Sequence, residues 1–292
     1  MASLKQMRSF LASKGVNVQA LLEKPEILSA YDDCLKGLGS FHRFEKNVGG
    51  LDSIVITNSP KPQALVAIFH GFGANGADLA PLSDYFLRES KRAGVPMAAV
   101  VPDAPLDMGG GSRAWWIIDL MRLQSLIMSM KFDEIKKDVP QGLTEARGSA
   151  AACVAAACAM WNLPMSRVAL GGFSQGSMVA VDAVLHMKEK PASLGIWSGC
   201  LIAEDVWSSK MKETGGGEAL SKTSVVQSHG KQDMVLPYMA GQWLKEFLNG
   251  CGVQHEFLDF NGAHGCFPPA VERQATLFAD QVARDLKAAE GG

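Results

Sequence analysis

Apolar residues in this chain gather in short, dense runs separated by longer stretches of helical period. Residues 64–70 (Ala-Leu-Val-Ala-Ile-Phe-His) and 97–101 (Met-Ala-Ala-Val-Val) are nearly continuous apolar segments. Such runs mark strands covered on both faces, since a strand with one wet face alternates apolar and polar positions. Residues 167–171, 192–197, 223–229 and 253–260 read as further strands. Helical stretches follow at about 76–93, at the Ala-rich 142–161 stopped by Pro164, at 175–188, at 237–249 and at 268–289. Strands that alternate with helices predict an α/β fold with a mostly parallel, doubly wound sheet flanked by helices.

Two regions depart from that rhythm. Residues 1–40 predict two helices, one from Leu4, Met7, Phe10 and Leu11, the other from Val18, Leu21, Leu22, Ile27, Tyr31 and Leu35. Next, Asn47-Val-Gly-Gly50 predicts a hairpin turn between 41–46 and 51–58. We expect residues 1–45 to form a helical extension packed on a main domain at 46–292. That extension is also a candidate contact for a partner or for a homodimer. The second irregular region, 106–140, holds Gly109-Gly-Gly111, then Arg113-Ala-Trp-Trp116, then a Leu- and Met-rich stretch from Leu120.

Bulk properties narrow the function classes. The 28 basic residues nearly balance the 30 acidic ones, so no electrostatic footprint for nucleic acid is present. Hydrophobic content of 47% argues against disorder. No run approaches 18 apolar residues and the first residues lack a signal-peptide core, so neither a transmembrane segment nor secretion is expected. The six cysteines form no Cys-x-x-Cys pair; Cys153 and Cys158 read as small buried residues. Free thiols without a signal suggest a cytoplasmic protein.

The candidate chemistry sits at Gly172-Phe-Ser174-Gln-Gly176, a G-x-S-x-G pattern between a strand-like and a helix-like run. A turn that sharp needs glycine on either side, and it lifts the serine hydroxyl above the sheet edge. The helix behind it would offer unpaired N–H groups to an oxyanion. A serine nucleophile needs a base, and the base needs an acid, in the chain order Ser, acid, His. His264 follows the last strand in a Gly-flanked loop, and Asp233 follows the strand at 223–229. Asp182 and Asp205 compete weakly as acids, while Asp259, within the strand before the His264 loop, is expected to face elsewhere. His229 is the rival base, but its place at a strand end suits a structural hydrogen bond. The oxyanion hole would use the N–H groups of Gln175 and of Phe72, the latter in the loop after the strand at 64–70.

His70-Gly-Phe-Gly, Pro102-Asp-Ala-Pro, Ala114-Trp-Trp, Gly172-Phe-Ser-Gln-Gly, Ser198-Gly, His229-Gly-Lys-Gln-Asp-Met-Val-Leu-Pro and Gly262-Ala-His-Gly occur in that order. Together they resemble the phospholipase/carboxylesterase family of α/β-hydrolases, which includes the acyl-protein thioesterases. The resemblance spans about residues 52–290. It implies Ser174 as nucleophile, Asp233 as acid and His264 as base, an acyl-enzyme route, and no metal or organic cofactor. It places Trp115 and Trp116 near the active centre. With Leu120 and Met121 they are the candidate substrate contacts, and the Met-rich segment is a candidate lid or acyl pocket. The expected activity is hydrolysis of a small-molecule ester or an acylated substrate. An acyltransferase or peptidase on the same triad, or a binding protein without turnover, are the alternatives.

Overall fold

The structure is a computed structural model and describes residues 4–13, 27 and 41–290. In chain order its elements begin with α1 (Leu4–Ser13), β1 (His42–Val48), β2 (Leu51–Thr57) and β3 (Ala64–Phe69). Then come α2 (Gly76–Leu79), α3 (Ser83–Arg92), β4 (Met97–Pro102), β5 (Leu106–Gly109), β6 (Ser112–Ala114), α4 (Leu120–Met128), α5 (Phe132–Lys137), α6 (Leu143–Trp161) and β7 (Val168–Phe173). The chain closes with α7 (Gln175–His186), β8 (Ser193–Trp197), α8 (Glu204–Glu213), β9 (Ser224–Gly230), α9 (Tyr238–Gly250), β10 (His255–Phe260) and α10 (Pro268–Glu290).

Among the described residues, eight strands form one sheet in the order β1-β2-β4-β3-β7-β8-β9-β10. Pairing is antiparallel at β1/β2 and β2/β4 and parallel from β4 onward. The central strands β3, β4 and β8 are buried along their whole length, which is why their sequences run apolar without alternation. One face packs α6, α7, α8 and α9 through residues such as Val154, Val181, Trp207 and Leu244. The other packs α3 and α10 through Phe86, Leu87, Ala275 and Phe278.

The β1–β2 hairpin turns on Gly49 and Gly50, both at positive φ (60° and 94°), as a two-residue turn of this twist requires. The helix expected at 76–93 is broken instead. Pro81 cannot donate a backbone hydrogen bond, and a 3-10 turn at Ala80–Leu82 separates α2 from α3. The β5–β6 ribbon, the short helix α5 and helix α8 escaped the sequence reading. The β5–β6 ribbon is too short and too exposed to show a hydrophobic period. Helix α8 has three apolar residues, exposed Val206 and the pair Trp207 and Met211, which lie four apart and are buried on one face.

In α1, Met7 and Leu11 are buried, as is Ile27. The second N-terminal helix otherwise lies outside the described residues, as does Cys34. Cys153 is buried as expected, whereas Cys158 is only partly buried, packed against the same core. No helix among the described residues is long and apolar enough to cross a membrane.

Candidate active site

Ser174 joins β7 to α7 with φ 53° and ψ −121°, a backbone state that side-chain-bearing residues rarely adopt. Its neighbours explain how the turn is held. A Cβ on Gly172 would strike the backbone of Gly176 and Ser177, and one on Gly176 would strike the carbonyls of Phe69 and His70. The Ser174 N–H donates across to the Trp197 carbonyl at 2.9 Å. The hydroxyl therefore stands at the carboxyl edge of the parallel strands, where α/β sheets place their ligand sites.

Two loops bring the other expected residues to it. Asp233 follows β9 and His264 follows β10, and the loops are tied by Gln232 N–H to the Gly262 carbonyl at 3.0 Å. His264 Nε2 lies 2.9 Å from Ser174 Oγ, and its Nδ1 lies 2.6 Å from Asp233 Oδ2. The other Asp233 oxygen accepts the N–H groups of Val235 (2.9 Å) and Leu236 (2.8 Å). Burial opposes ionisation of this carboxyl. The hydrogen bonds from His264, Leu236 and Val235, with the His264 charge, outweigh it and hold the group below the ordinary carboxylate range. An ionised Asp233 can only accept, so His264 carries its proton on Nδ1 and presents Nε2 as an acceptor to the serine hydroxyl. Ser198, at φ 50°, donates its hydroxyl to the Gly265 carbonyl at 2.8 Å and so steadies the histidine loop.

The rivals fall elsewhere. Asp182 is fully buried in α7 between Arg147 (3.0 Å) and the Trp207 indole N–H (2.8 Å), a packing role. Asp259 pairs with Tyr238 and Lys231 on the surface. His229 donates Nε2–H to the Leu236 carbonyl at 2.9 Å, behind Asp233. His70 is also buried: Nε2 accepts from Ala104 N–H, so Nδ1 holds the proton and donates to the Gly71 carbonyl.

Burial pushes the pKa of both His70 and His229 below the usual 6.5. Both are neutral in the folded protein, whereas in the unfolded chain they protonate below pH 6.5. The unfolded state then binds more protons, so stability is unaffected above that pH and falls below it. Each histidine should remove about 1.4 kcal/mol per pH unit until its folded pKa is reached. Urea unfolding at pH 7.5, 6.5 and 5.5 would measure this; equal stability at the last two values would contradict it.

Of the expected oxyanion donors, Gln175 N–H opens α7 and so has no intrahelical acceptor. The Phe72 N–H has no protein acceptor among the described residues. Both residues line a cleft of about 750 Å³ that also holds Ser174 and His264. Its wall includes Leu123, Leu126 and Ile127 of α4, Phe132 of α5 and Trp243 of α9. Trp116 and Leu120 are at the cleft, but Trp115 and Met121 are not. Trp115 is buried against Phe69, ring centroids 5.1 Å apart, and Met121 is 85% exposed. Met128 and Met130 also face solvent. Helix α4 thus turns its Leu/Ile stripe to the cleft and its methionines away from it, so the wall that α4 supplies is Leu/Ile rather than Met-rich.

One residue acts in a way the sequence reading missed. The Gln175 side chain is fully buried; its Oε1 accepts Trp115 N–H at 3.0 Å and its Nε2 donates to the Trp116 carbonyl at 2.8 Å. A glutamine at the buried start of a helix was the available signal, because such an amide needs partners. Among the described residues, no group of three or more His, Cys, Asp or Glu side chains is placed to hold a metal ion.

The sheet, the elbow and the loop-borne histidine define an α/β-hydrolase. A profile of the phospholipase/carboxylesterase family matches residues 51–275, and the chain belongs to that family. Acyl-protein thioesterase 1 of Gibberella zeae is 22% identical over 236 residues, covering 80% of this chain and 97% of the relative. The protein of the same name from Eremothecium gossypii is 29% identical over 224 residues, 72% and 84% of the two chains. Among solved structures, Zea mays acyl-protein thioesterase 2 superposes with a TM-score of 0.57 at 20% identity, over 79% of this chain and 98% of that one. Esterase PE8 gives the same TM-score at 21% identity, over 85% and 99%.

Proposed function

We propose that this esterase-type hydrolase cleaves carboxylic esters or thioesters of medium to long acyl chains through a covalent acyl-enzyme on Ser174. The observation that carries the reading is the hydrogen-bonded run Ser174–His264–Asp233 set in the wall of an apolar cleft. His264 Nε2 removes the hydroxyl proton as Ser174 Oγ attacks the acyl carbon. The Phe72 and Gln175 N–H groups hold the developing oxyanion, worth about 3 kcal/mol each by analogy with single-donor deletions. His264 returns the proton to the leaving alcohol or thiol, and water, activated by the same imidazole, then releases the acid. Asp233 holds the tautomer and stabilises the imidazolium.

The cleft selects the acyl group. Its walls are mostly apolar, with leucine, isoleucine and aromatic side chains beside a few polar ones such as Arg122 and Asp138, and its volume lies in the usual range for a small-molecule site. Relatives named acyl-protein thioesterase support a thioester as one physiological substrate, with a thiol as its leaving group. We propose that residues 1–45 are an extension packed on the hydrolase domain, a reading supported by the burial of Met7 and Leu11.

A chain-length series of p-nitrophenyl esters tests the reading. Wild type should prefer chains longer than four carbons. Leu123→Trp, which fills the α4 wall, should lower kcat/KM for long chains by about 10-fold or more and leave the acetate ester nearly unchanged. Equal losses across the series would remove the cleft from the role of acyl site.

A further inference from the structure

Trp115 does not touch the cleft, yet it is bonded to both segments that border the reacting hydroxyl. Its indole N–H donates to the His70 carbonyl at 2.9 Å, at the root of the loop that carries Phe72. Its backbone N–H donates at 3.0 Å to the side chain of Gln175, the first residue of α7. The Gln175 amide closes the second bond to the Trp116 carbonyl at 2.8 Å. The indole lies edge-on against Phe69, the last residue of β3, with an interplanar angle of 72°. One buried residue thus spans from the end of β3 to the start of α7.

We propose that Trp115 is a positioning residue that sets the separation of the Phe72 and Gln175 N–H groups, the two donors of the oxyanion hole; this rests on the function proposed above. The physical argument is geometric. Donors stabilise an oxyanion when each lies about 2.7–3.1 Å from the place where the charge develops, so the distance between them must be held. The outer end of the Phe72 loop is already fastened, by Gly73 N–H to the Arg113 carbonyl (2.9 Å) and Arg113 N–H to the Ala74 carbonyl (2.8 Å). The inner end, next to Phe72, depends on His70. That carbonyl is the acceptor of the Trp115 indole. On the other side, the first turn of α7 is tied to the same tryptophan by the Gln175 amide. Both ties are buried, where a hydrogen bond is held most firmly and its loss leaves unpaired groups. The Trp115 position therefore reports on the transition state, not on acyl binding.

The experiment uses the full-length protein and two variants. Trp115→Phe keeps a ring beside Phe69 and removes the indole donor. Gln175→Met keeps side-chain length and removes both amide bonds while leaving the Gln175 backbone N–H in place. Each is assayed for kcat and KM on one long-chain p-nitrophenyl ester. Each is also assayed for binding of a long-chain trifluoromethyl ketone, which adds to the serine as an oxyanion adduct, and of the saturated alcohol of equal length, which makes none. The expected result is a kcat loss of about 10- to 100-fold for Trp115→Phe, below the full deletion of a donor. KM and alcohol affinity should stay within about 3-fold, and ketone affinity should fall in step with kcat/KM. Gln175→Met should show the same split, and the double variant should lose less than the product of the single effects, because both act on one tether. The proposal is overturned if kcat and ketone affinity are unchanged, or if ketone and alcohol affinity fall together, which assigns Trp115 to packing alone. If wild type itself neither turns over esters nor binds the ketone, the functional reading fails, and the proposal fails with it.

Discussion

Ser174→Ala should lower kcat for an activated ester by about 10⁴-fold or more and leave the thermal midpoint within a few degrees of wild type. The first half follows from the site: Ser174 Oγ is the hydroxyl that His264 Nε2 reaches, at 2.9 Å. The second half follows from the elbow. Alanine at φ 53° carries the same backbone penalty as serine, and the Ser174 hydrogen bond to Trp197 runs through its backbone. His264→Ala should cost about as much as Ser174→Ala, because the groups act as a unit and their losses do not add. Asp233→Asn should also approach 10⁴-fold at neutral pH. An asparagine amide can donate to Nδ1, which lets the proton settle on Nε2, the wrong nitrogen for a base. Labelling by a fluorophosphonate separates two kinds of failure. Wild type that labels at Ser174 without hydrolysing any ester keeps the nucleophile and loses the substrate class. Wild type that does not label loses both.

The reach of the sequence can be judged residue by residue. Buried strands such as Ala64–Phe69 were legible because a parallel sheet covered on both faces admits few polar side chains. Ser174, Asp233 and His264 were legible as candidates for a different reason. Each lies in a Gly- or Pro-marked loop just past a strand, and loops at the carboxyl edge of a parallel sheet all open to the same side. Position along the chain alone therefore placed residues 59 and 31 apart beside one another. What stayed hidden depended on orientation. Trp115 and Trp116 are adjacent and alike, yet one is a buried strut and the other a cleft wall; composition cannot say which faces where. The same holds for α4, where nine residues supply an apolar stripe and an apolar solvent side at once. With Met121 and Leu120 neighbours on that helix, only the packing of α4 decides which one meets the cleft.

Gly176→Ala should destabilise the protein by about 3 kcal/mol or more and abolish most turnover. The added methyl would meet the Phe69 and His70 carbonyls, which are backbone and cannot rotate aside. Helix α7 would have to lift off β3, and Ser174 and the Gln175 N–H would move with it. Gly172→Ala should behave similarly, because its methyl would enter the first turn of α7 from the other side. Two controls isolate the cause. Gly148→Ala lies within α6 with open space at the Cβ position, and should raise stability by about 0.5–1 kcal/mol through helix propensity alone. Gly73→Ala also has open space but sits at φ 79°, so it should lose only about 1–2 kcal/mol to backbone strain. Urea unfolding of the four variants gives the ranking. A Gly176→Ala protein as stable as the Gly73→Ala one would mean that α7 does not press on β3 as closely as the structure has it. The glycines of the G-x-S-x-G pattern would then serve only the turn. If the ranking holds, the pattern reads as a statement about distance. Ser174 stands at the sheet edge because the helix behind it approaches the neighbouring strand more closely than any side chain permits.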